Sequence, residues 1–171
     1  MDEFPNSKPF KVTDHLLSQA VELMERDEKD LYEALGLSST LWENLQGIDL
    51  TLFDTEGIVA RPPPTEGYTM RFFLRDYKLK TSVVPRDVRL DLMEKGKIYF
   101  RKHKRKLFQK ICVEKEACKW SKEILGDSKA LLAELIPLVG IALGFVVPAI
   151  VITIAILIVK WGIIKFCKCK P

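Results

Sequence analysis

The sequence predicts an α+β protein: a small N-terminal helical unit, a short antiparallel sheet, a basic connector helix and a C-terminal transmembrane helix. Three observations carry that prediction. Apolar residues recur at helical spacing between positions 13 and 45, apolar and polar residues alternate between 48 and 84, and no ionisable side chain occurs over the 25 residues from Leu135 to Val159.

Residues 1–12, with Pro5 and Pro9, read as an extended lead-in. Thr13 or Asp14 is placed to cap a helix that buries Leu16, Leu17, Ala20, Val21, Leu23 and Met24 and ends near Asp27. A second short helix through Leu31, Tyr32, Ala34 and Leu35 is expected to stop at Gly36. A third is expected to start from Ser38 or Ser39 and to present Leu41, Trp42 and Leu45 before Gly47. Ile48, Leu50 and Leu52 alternate with polar residues, and Thr69 to Tyr77 and Leu79 to Val84 read as further strands. Arg61-Pro62-Pro63-Pro64 between them is a loop or polyproline segment. Residues 13–84 are thus expected to form one cytoplasmic α+β domain that receives a protein partner.

Residues 85–129 read as a basic helical connector in one or two helices, interrupted near Gly96. The run Arg101-Lys102-His103-Lys104-Arg105-Lys106 is the densest positive patch of the chain. Arg101, Lys102, Lys104, Arg105 and Lys106 are predicted to touch anionic headgroups, because the apolar stretch follows closely; no base-stacking or zinc-finger pattern accompanies them, which makes nucleic acid an unfavoured partner.

Residues 130–166 are predicted to be the membrane segment, with the bilayer as a partner and the N-terminal domain in the cytoplasm. A helix of 25 residues would reach about 37 Å, enough to cross a hydrocarbon layer of about 30 Å. Gly140 and Gly144 share a face that suits close helix packing and self-association, Pro148 predicts a kink, and Glu134 marks the membrane edge. Lys160, Trp161 and Lys165 have the chemistry of interface anchors. Four lysines flank the stretch on each side, so charge bias sets no orientation. The alternative to a single pass is a hairpin turning around Gly144 to Pro148, either re-entrant in the bilayer or buried in a soluble fold, which would bring Cys112 and Cys118 towards Cys167 and Cys169. In the short tail, 167–171, Cys167 and Cys169 are candidate acylation sites. The acidic N-terminus lacks a signal-peptide pattern, and two close cysteine pairs do not resemble a secreted disulfide framework, so a reducing compartment is expected.

Charge divides unevenly: residues 1–56 carry net −9, residues 57–129 net +10 and residues 130–171 net +3. Catalytic patterns are absent from the sequence, and no metal or cofactor is predicted. Leu52-Phe53-Asp54-Thr55-Glu56-Gly57 loosely resembles the strand-end aspartate motif of haloacid-dehalogenase-type phosphatases, but Glu56 stands where that motif has its second aspartate. The expected function is therefore non-enzymatic. One reading is an oligomerising membrane effector that perturbs the bilayer, on a plan like that of small bacterial immune or toxin proteins; the other is a membrane-tethered adaptor that binds another protein.

Overall fold

The computed structural model describes residues 12–46, 86–144 and 147–170; of 41–46 and Pro148 only the backbone is described. Helix α1 (Asp14–Leu23) begins where Thr13 Oγ1 accepts from the amide of Leu16 at 3.3 Å. Helix α2 spans Glu28–Gln46 and α3 spans Arg86–Phe108. The chain then widens into a π-helical segment, Gln109–Glu114, closed by the Lys115 amide bonding back to Lys110 O at 3.2 Å. Short α4 (Ala117–Trp120) precedes the apolar pair α5 (Ser128–Leu143) and α6 (Pro148–Trp161), and α7 (Ile163–Cys167) ends the described chain.

Among the described residues no strand occurs, so the fold is helical where the sequence predicted α+β. The three predicted strands, the polyproline loop and the Leu52–Gly57 segment lie outside the described residues. Within them, two predicted helix breaks are absent. Gly36 sits inside α2 and Gly96 inside α3, because the two helices cross through these residues: a Cβ on Gly36 would overlap the Leu92 carbonyl, and one on Gly96 would overlap that of Tyr32. Glycine is here a contact surface, not a stop. Three hydroxyls in α2 satisfy themselves on the preceding turn, with Ser38 and Thr40 donating to Ala34 O and Gly36 O at 2.7 Å each, and Ser39 to Gly36 O at 3.2 Å.

The predicted membrane helix is two helices. Gly144, at φ +75°, closes α5 in the left-handed conformation, and Pro148 opens α6 at its first turn, so the proline expected to kink a helix starts one. At 16 and 14 residues the helices are about 24 and 21 Å long, short of a hydrocarbon layer of about 30 Å. No helix among the described residues is long and apolar enough to cross a membrane, and the predicted transmembrane helix, C-terminal anchor and membrane location are not supported. What solvates the apolar stretch instead is the rest of the chain. Ile150, Val151, Ile152, Ile154, Ala155, Ile156, Leu157 and Ile158 are fully buried, with α1, α2 and α5 packed around α6. Thr153, the polar side chain in this run, donates to Ala149 O at 2.6 Å.

Two disulfides close the fold, Cys112–Cys167 and Cys118–Cys169, across 55 and 51 residues of sequence. They correct the expectation of reduced cysteines, and the packing of α6 back along α5 is what brings the pairs together. In the chain-entropy account, the first bridge over a loop of that length restricts the unfolded chain by about 4 kcal/mol.

Candidate anion-binding site

The crossing at Gly36 and Gly96 fixes which face of α3 is buried. Gly96, Tyr99, Phe100 and Leu107 point inward, and Ile98, Arg101, Lys102 and Arg105 fall together on the opposite side at i, i+3, i+4 and i+7. That outer face differs along its length. Towards its start, Lys95 pairs with Asp91 at 2.8 Å, and Arg101 reaches back to Glu94 at 3.4 Å. Further on, Lys102, Arg105 and Lys106 are exposed and make no ion pair within the described residues. Ile98, 52 % exposed, lies among these cations.

An aromatic cluster carries a second basic stretch to the same place. Phe100 stands edge-on to Trp161 at 5.3 Å and to Phe166 at 6.5 Å, and Phe108 lies 6.4 Å from Phe166. Trp161 is held on both sides: the Lys104 ammonium sits 5.5 Å from its ring centroid, and its Nε1 donates to Glu28 Oε1 at 2.9 Å. The bridges from Cys112 and Cys118 to Cys167 and Cys169 then tie the last residues beside the end of α3. Residues 101–106 and 160–170, more than fifty apart in sequence, thereby meet at the end of α3 through Lys104 and Trp161 and make that end a basic pole: Lys160, Lys165, Lys168 and Lys170 are exposed on the segment that packs against Phe100, and Lys102, Arg105 and Lys106 are exposed on the opposite face of α3.

The other predicted site residues are dispersed. Glu134 and Ile141 are exposed on one outer face of α5. A Cβ at Gly140 would meet no described atom within 4 Å, so none of the described helices packs closely there, and Gly144 is the cap already described. Lys160, Trp161 and Lys165 belong to the pole instead of a bilayer interface. Cys167 and Cys169, the candidate acylation sites, are disulfide-bonded and offer no free thiol. His15 lies on α1 with Nε2 3.3 Å from Gln19 Nε2, and His103 packs on Tyr99 with ring centroids 4.5 Å apart. Among the described residues no group of three or more His, Cys, Asp or Glu is disposed to hold a metal ion.

The sequence reading missed the joining of the two basic stretches. Its signal was the cysteine pattern: two close pairs, one beside each stretch, match like the ends of a clasp. Compared with protein-family models, curated proteins and solved structures, the chain matches none.

Proposed function

We propose that the protein is a non-enzymatic binding module whose basic pole engages an acidic segment of a partner protein. The observation that carries this reading is the exposed trio Lys102, Arg105 and Lys106 on the outer face of α3, which makes no ion pair within the described residues. Unpaired cations on a rigid helix keep their favourable energy for an incoming anion, and a cluster of one sign steers that anion's approach.

Two features favour a protein over a nucleic acid. Single-stranded nucleic acids are gripped largely by stacking on exposed rings, and the rings of this pole are turned to one another and to Lys104. In addition, Ile98 offers an apolar contact within the cationic face, the combination that an amphipathic acidic helix complements.

Binding of the full chain to an amphipathic Glu-rich peptide, followed by fluorescence anisotropy, tests the proposal. The triple substitution Lys102→Glu, Arg105→Glu and Lys106→Glu should weaken binding by at least about tenfold at low salt, and added salt should narrow the difference. Arg86→Glu, at the far end of α3, should change it little. Failure of the peptide to bind, or tighter binding of single-stranded DNA of matched charge, would overturn the reading.

A further inference from the structure

The two disulfides sit in different surroundings. Cys167 is 6 % exposed and follows buried Phe166; its partner Cys112 is partly exposed but follows fully buried Ile111, so the Cys167 end of that bridge lies against the core. Cys118 and Cys169 are both partly exposed, and the second bridge lies at the outer edge of the basic pole. Exposed Lys168 and Lys170 flank Cys169, and Lys119, next to Cys118, gives its ammonium to Glu116 at 2.7 Å. Lys168 adopts φ +53°, and the Cys169 amide bonds to Ile164 O at 3.0 Å, which ends α7 in a tight turn and presents Cys169 beyond the core-facing Cys167.

Thiol–disulfide exchange needs access of a thiolate to a sulfur and stabilisation of the thiolate that leaves. Cations beside a sulfur supply the second requirement and raise the local concentration of an anionic attacker. We propose that Cys118–Cys169 is an exchange site for anionic small-molecule thiols, with Cys112–Cys167 remaining closed as the structural bridge. The attacking thiolate bonds to Cys118 Sγ, the Sγ–Sγ bond breaks, and Cys169, between Lys168 and Lys170, leaves as a thiolate with the electron pair. A second thiol attacks the outer sulfur of the mixed disulfide. It departs as part of the oxidised small-molecule disulfide, and Cys118 is left reduced. Two thiols are oxidised and one bridge is reduced, with the protons passing to the two protein sulfurs. The lysines of the pole select the attacker, and no partner protein is required.

The experiment treats the oxidised full chain with glutathione, whose net charge is negative, or with cysteamine, which is cationic. Samples are quenched by alkylation and each cysteine is mapped by mass spectrometry. Cys118 and Cys169 should become alkylated or glutathionylated at least about tenfold faster than Cys112 and Cys167. At equal thiolate concentration glutathione should outpace cysteamine by about tenfold at low salt, and the ratio should fall towards one in high salt. Lys168→Glu with Lys170→Glu should abolish that preference, whereas the triple substitution in α3 should leave the order of bridge opening intact. Acidic-peptide binding and exchange therefore fail separately. Opening of both bridges at one rate, earlier opening of Cys112–Cys167, or a cysteamine rate equal to that of glutathione at low salt would overturn the proposal.

Discussion

Tyr32 shows how a single residue ties stability to pH. It is 5 % exposed and stands edge-on to Phe100 at 6.3 Å; burial, with a smaller contribution from the Glu28 carboxylate, pushes its phenol up to about 12. Both causes disfavour the charged form in the folded state, so the unfolded chain gives up this proton first as pH rises. The stability that follows from the difference is fully present below about pH 10, the ordinary phenol value, and is lost as pH climbs through about 12. Full ionisation removes about 3 kcal/mol. Tyr32→Phe has no phenol to ionise, so its denaturation midpoint should fall less than that of the wild type between pH 10 and 12. Parallel loss in both proteins would show that another group governs the alkaline limit. Arg89 acts at the same scale through charge: its guanidinium lies 3.1 Å from Glu33 and 3.6 Å from Asp30, and the Glu33 side chain is only 8 % exposed. A carboxylate so covered needs a cation beside it.

At the scale of elements, glycine means three different things in this chain, and substitution by alanine separates them. Gly36→Ala or Gly96→Ala inserts a methyl into the opposing backbone, which the α2–α3 pair accommodates only by moving apart; a loss of about 2–3 kcal/mol in denaturant unfolding is expected for each. Gly140→Ala places its methyl where no described atom lies within 4 Å, inside a helix, and should gain about 0.5–1 kcal/mol. A loss at Gly140 would mean that another helix packs there. Gly144, at φ +75°, belongs to the third kind, a helix end that an L side chain strains. The sequence offered this last one only through the hairpin alternative, in which glycine followed by proline four residues later marks a turn; the preferred reading set Gly144 on the packing face of one continuous helix. The cap at Thr13 was legible because its signal lies within a few residues of sequence. Gly36 and Gly96 misled, because an isolated glycine after an apolar turn reads as a stop, and the contact that overrides it is made sixty residues away.

For the molecule as a whole, the question is what solvates α6. A helix apolar on every side looks the same in sequence whether hydrocarbon or protein surrounds it, and the deciding fact is how the flanking helices fold back. None of that is local, which is why the apolar stretch was legible and its environment was not. The basic pole has the same history: each half was visible as a lysine-rich run, and their union depended on a hairpin, an aromatic cluster and two disulfides. Ile154 and Ile141 test the outcome, since the first is fully buried on α6 and the second is 57 % exposed on α5. Ile154→Ala should cost about 3–4 kcal/mol, the lost transfer energy plus the cavity that the surrounding helices cannot close. Ile141→Ala should stay within about 0.5 kcal/mol of the wild type. Both are read from denaturant midpoints of the oxidised chain, with the dependence on denaturant unchanged. Equal effects at the two positions would mean that α1, α2 and α5 do not cover α6, and the protein interior described for the apolar stretch would have to be abandoned.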